Sequence, residues 1–78
     1  MSEQEYRRRL QEARNRAVRL YDRLILYPGY QAESIRAGVL DVLEDAIPEL
    51  ENNPNQDTNG LQLIFSLIEL YEGITDEL

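Results

Sequence analysis

Asn55, Asp57, Asn59 and Gly60 stand at the spacing of positions 1, 3, 5 and 6 of an EF-hand calcium loop. The pattern then fails. Position 12, where such loops place a bidentate glutamate, is Ser66, and position 1 is an asparagine. One carboxylate does not balance a hard divalent cation, so the stretch is expected to be a polar connection. A second acidic group, Asp41, Glu44, Asp45 and Glu49, has helical spacing and is chemically able to gather Mg²⁺ or to supply an acid and a base. Acid runs of this kind usually form a solvated face. The chain has no histidine, cysteine or lysine to act as nucleophile or near-neutral base, and Ser34 and Ser66 have no activating partner in the pattern. No catalytic residue, metal site or cofactor is expected, and the chain is not expected to be an enzyme.

The remaining charged chemistry is arginine. All eight cations are arginines, and seven of them fall between Arg7 and Arg23, in a chain of net charge −7. Residues 1–36 set eight arginines against five acids, a surplus of +3. Residues 37–78 hold ten acids and no base, −10. Arginine's planar fork suits both phosphates and carboxylates. The cations therefore await either nucleic acid or the acidic half of their own chain.

The elements that position these groups read as three helices. Ser2 with Glu5 three residues on is a capping-box pattern. Tyr6, Leu10, Ala13, Ala17, Leu20, Leu24 and Tyr27 then recur in steps of four and three, an unbroken heptad seam bordered by Arg7, Arg9, Arg14, Arg16 and Arg23. This spacing predicts a helix from about residue 3 to about residue 27, ended by Pro28-Gly29. A second helix is expected from about 32 to about 50, with Ile35, Val39, Val42, Leu43, Ala46, Ile47 and Leu50 on its apolar face and a kink or break just before Pro48. Gly38 costs that helix about 1 kcal/mol relative to alanine and suggests a close approach. "ENNPNQDTNG" reads as a loop, centred on about 51–57, and a third helix follows from about 58 to about 72.

The third helix is apolar around most of its circumference. Gln62, Ser66, Glu69 and Gly73 form one thin polar stripe, which predicts burial on several sides. A domain of 78 residues has a small core, and with no cysteine it has no disulfide to supplement it. The expected fold is therefore all-α, a three-helix bundle or a helical hairpin plus a third helix. It is expected to assemble as a homodimer through Leu61, Ile64, Phe65, Leu67, Ile68 and Tyr71. The charged start "MSEQEYRRRL" lacks the apolar core of a signal peptide, and no run approaches a membrane span, so a cytoplasmic location is expected.

The residues Ala17, Tyr21, Leu24 and Ala32, with an intervening proline, resemble one tetratricopeptide junction. Pro28 comes one residue early and no second copy follows, whereas such repeats bury a core only by stacking. The chain is not assigned to that family. The expected role is a non-enzymatic protein–protein interaction module: an adaptor, inhibitor, antitoxin-like or assembly factor. Asp41, Glu44, Asp45 and Glu49 would meet a partner protein, with Tyr27 and Tyr30 as further anchors. In this reading the seam arginines pair with the acids of the second helix, in the same chain or in its symmetry mate. The alternative is a nucleic-acid binder using Arg8 and Arg19, which point away from the seam. The acidic half would repel a polyanion and disfavours that alternative. A membrane-surface role is not expected either, because the first helix's apolar stripe has alanine at its centre.

Overall fold

A computed structural model describes all 78 residues, and they form three helical rods connected by two short turns. Helix α1 spans Glu3–Ile25. The middle rod joins α2, Tyr30–Asp41, through a π-helical turn, Val42–Ala46, to α3, Ile47–Asn52. The last rod is α4, Thr58–Asp76. No strand is present, and the fold is all-α.

Helix α1 starts where its cap predicts. The Ser2 hydroxyl accepts the Glu5 N–H at 3.1 Å, satisfying a donor that has no partner within the helix. The helix stops two residues before the expected end because Pro28 disfavours helical geometry just ahead of it. Gly29, at φ 105°, then reverses the chain in a conformation that other residues reach only with strain. The middle rod returns antiparallel to α1. Its Arg36 reaches back over the turn, donating from Nη1 to the Leu24 carbonyl at 3.0 Å and to the Tyr27 carbonyl at 3.3 Å. A cation thus occupies the negative end of α1, adding to the Leu24 carbonyl, which also accepts the Tyr27 N–H, and serving the Tyr27 carbonyl just beyond the helix.

The disruption expected before Pro48 takes the form of a π turn. Proline has no N–H for the carbonyl four residues back, and its ring crowds that carbonyl. The Ile47 N–H bonds instead to the Val42 carbonyl, five residues earlier, and the rod continues without a break. The connection after it is shorter than the turn-rich composition predicts. Glu51 and Asn52 close α3, and Thr58, Asn59 and Gly60 already belong to α4, leaving residues 53–57 as the loop. Asp57 makes this possible by capping α4, its carboxylate accepting the Gly60 N–H at 2.8 Å. Helix α4 also runs four residues past its expected end, carrying Gly73 inside it.

The Tyr6 hydroxyl accepts the Asp57 N–H at 3.1 Å, so α4 begins beside the start of α1 and runs parallel to it. The three rods enclose a single core. It comprises the α1 seam from Tyr6 to Leu24, then Ala32, Ile35, Val39, Val42, Ile47 and Leu50, and finally Leu61, Ile64, Phe65 and Ile68. Ala13 and Ala17 are completely buried at the middle of α1, where their small side chains admit the neighbouring helices closely. The molecule measures 40 × 18 × 17 Å, one long helix in length. No helix is long and apolar enough to cross a membrane.

The girth of α4 is covered largely within the chain. Leu61, Ile64, Phe65 and Ile68, expected at an interface between copies, lie in this core, while Leu67 and Tyr71 are half-buried against it. The apolar side chains that α4 leaves uncovered are Leu63 and Leu70. Two neighbouring helices suffice because the alanines of α1 and Gly38 of α2 leave room for close packing.

Candidate functional site

Five of the seven arginines of α1 fall into two rows along the edges of its buried seam. Arg9, Arg16 and Arg23, seven residues apart, lie on the α4 side. Arg16 bonds Glu72 through both Nε and Nη2, at 3.4 and 2.5 Å, and Arg23 bonds Asp76 at 2.6 Å. On the other edge Arg14 pairs with Glu51 at the end of α3. Arg7 and Arg9 pair locally with Glu3 and Glu12. The hydrogen bond to Glu72 raises the Arg16 pKa above its ordinary value; burial opposes it, and the charges of Glu72, Glu69 and Glu12 reinforce it. The hydrogen bond to Asp76 raises that of Arg23 in the same way.

Phe65 explains why Arg9 and Arg16 lie where they do. The Arg9 guanidinium carbon stands 4.3 Å from the centre of the Phe65 ring, and that of Arg16 stands 5.7 Å away. Both cations are attracted to the ring's negative face. They close the edge of the core as well as neutralising carboxylates, and Phe65 is only 7% exposed.

The carboxylates that meet α1 are not the ones expected. Asp41, Glu44, Asp45 and Glu49 are all exposed, and none forms an ion pair with any arginine. The middle rod turns Ile35, Val39, Val42, Ile47 and Leu50 inward, which carries these four acids to the outside. The arginines instead find Glu51, Glu72 and Asp76, which border the apolar faces packed against α1. The four outward acids form a ridge along the middle rod, without compensating charge. No group of three carboxylates is arranged to hold a metal ion.

Tyr30 stands beside the first turn, 84% exposed, whereas Tyr27 is half-buried and offers its carbonyl to Arg36. Arg8 and Arg19 are exposed and unpaired, and they border a shallow depression with Gln11, Glu12 and Asn15. A concavity of about 400 Å³ opens between the start of α1 and the 53–57 loop. Tyr6, Leu10 and Leu50 form its floor, and Arg7, Gln11 and Gln56 are among its polar walls.

Sequence reasoning did not anticipate two of these roles. Arg36 was visible as the one arginine outside residues 7–23, yet its target is set by the fold of the turn. The Arg9–Phe65–Arg16 arrangement depends on which edge of α4 faces α1, which periodicity alone leaves open.

No family model, curated protein or solved structure matches this chain.

Proposed function

We propose that this chain is a small non-enzymatic interaction module that binds a cationic partner protein through the acidic ridge of its middle rod. The observation carrying this reading is the unequal use of charge. Most arginines of α1 are engaged within the chain, in ion pairs or over Phe65, while Asp41, Glu44, Asp45 and Glu49 stand exposed and unpaired. A surface left strongly negative favours encounter with positive surfaces and repels polyanions. The chemical inventory supports the same reading, with no histidine, cysteine or lysine in the chain. Of the six residues on which the expected dimer rested, four are in the core, so the proposal concerns a single chain.

Fluorescence anisotropy with a labelled arginine-rich peptide tests it. Saturable binding is expected to weaken as salt rises and to fall at least tenfold when Asp41, Glu44, Asp45 and Glu49 are replaced by their amides. Labelled DNA and RNA form the second arm of the experiment. Saturable binding there, lost on replacing Arg8 and Arg19, would transfer the function to nucleic acid.

A further inference from the structure

Leu63 and Leu70 leave 62% and 57% of their surface uncovered. They stand seven residues apart, on one line of α4, and Glu77 continues that line. Ser66 and Gly73 are exposed one turn from them, and a β-carbon at Gly73 would meet nothing within 4 Å. Half-buried Leu67 and Ile74 form the inner edge. From Thr58 to Ile68 the helix carries no charge. The result is a line of two exposed leucines beside two small residues of the polar stripe, with open space at Gly73.

The borders of the strip are negative. Glu69 is exposed on the α1 side of α4, and Glu77 on its far end. On the other side lies α2, with Gly38 set against Tyr71. Since α2 runs antiparallel to α4, moving one turn from Gly38 to Asp41 moves back along α4 from Tyr71 towards Leu67. Asp41 is exposed and unpaired on that edge, and Asp45 follows it in the π turn. The nearest arginines are committed, Arg9 over Phe65 and Arg16 to Glu72.

The charge pattern selects the occupant. A second copy laid on this strip would set Glu69, Glu77 and Asp41 in a like-charged surround. Its core of two leucines per chain is also small against the roughly 800 Å² per partner of a stable interface. An anionic lipid surface would be repelled. A helix with apolar residues on one face and lysine or arginine on its flanks satisfies both the leucines and the acids. We propose that the α4 face carrying Leu63, Ser66, Leu70 and Gly73 is a docking surface for a cationic amphipathic helix of another protein. The inference rests on the acidic-module reading and specifies the form of its partner.

The test uses the full chain and two labelled peptides of identical leucine and lysine composition. In one the leucines line a single helical face; in the other their order is scrambled. The ordered peptide is expected to bind at least tenfold more tightly. Leu63→Ser/Leu70→Ser is expected to erase that preference. So is Gly73→Gln, which sets a polar side chain beside the exposed leucines while leaving them in place. Neutralising Asp41 and Asp45 should weaken both peptides. Equal binding of the two peptides, or a preference that survives both sets of α4 replacements, overturns this docking surface and leaves the acidic-module reading standing. Absence of salt-sensitive binding to either peptide overturns both. A concentration-dependent dimer abolished by the leucine replacements would assign the strip to a second copy and overturn the proposal.

Discussion

The ring of Tyr71 in α4 lies directly over Gly38 in α2: a β-carbon at position 38 would stand 2.6 Å from the Tyr71 hydroxyl oxygen and 2.8 Å from Cζ. Real side chains do not approach so closely, so glycine fixes the separation of the two helices here. Gly38→Ala sets two effects against each other, a helix-propensity gain of up to about 1 kcal/mol and displacement of a half-buried aromatic ring. The displacement is expected to win, lowering stability by about 1 kcal/mol. In a Tyr71→Ala background the obstacle is gone, and the same change should raise stability. Urea denaturation of the four proteins measures this reversal of sign. A Gly38→Ala change that stabilises both backgrounds equally would show that the two residues are not coupled.

Arg36 ties the turn between the first two rods to the body of the bundle. Its guanidinium serves two carbonyls at the end of α1, and its charge sits at the negative end of that helix. Arg36→Met keeps much of the aliphatic stem but removes both hydrogen bonds. Stability should fall by about 1–2 kcal/mol. Amide exchange of Tyr27 and its neighbours should accelerate beyond what that global loss explains. Uniform acceleration throughout the chain would reduce Arg36 to a general packing role.

These two relationships mark how far the sequence alone can be read. The seam from Tyr6 to Leu24 was legible because a helix repeats every few residues regardless of its neighbours, and every member of that run is buried. Pro48 announced a local disruption because its missing N–H is a property of the residue itself. The partners that Arg14, Arg16 and Arg23 find on other helices were not legible. Glu51, Glu72 and Asp76 have the same chemistry as Asp41 and Glu44. Only the directions of the rods decide which of them reach α1. The wide apolar girth of α4 suggested a second copy for the same reason: its sequence records how much surface is apolar, not how closely Ala13, Ala17 and Gly38 let the chain cover it.

Arg16 and Glu72 join α1 to α4 through two hydrogen bonds at a partly shielded edge. A double-mutant cycle with Arg16→Gln and Glu72→Gln is expected to give a coupling of about 0.5–1 kcal/mol, smaller in high salt. The guanidinium's pKa is raised on folding, so its stabilising contribution is complete below the unfolded arginine value. It is lost only as pH climbs through the higher folded value. Titration of this cation should therefore leave no step in stability between about pH 6 and pH 10. A coupling of zero at low salt would leave the stacking of Arg16 near Phe65 as its contribution.

Asp57 belongs to the fragment that resembles a calcium loop, and its carboxylate caps α4 while its N–H bonds to Tyr6. A cap and a metal ligand respond differently to substitution. Asp57→Asn preserves an oxygen acceptor for the Gly60 N–H and is expected to change stability by only a few tenths of a kcal/mol. Asp57→Ala removes the acceptor and should lower stability by about 1 kcal/mol. Gly60→Ala should also destabilise, since a β-carbon there would stand 2.6 Å from an Asp57 carboxylate oxygen. Thermal melts of these variants with and without millimolar calcium separate the two roles. If calcium raised the melting temperature of the parent chain and had no effect on Asp57→Asn, the carboxylate would be a ligand; a calcium-independent ranking of parent and asparagine above alanine is the outcome expected of a helix cap.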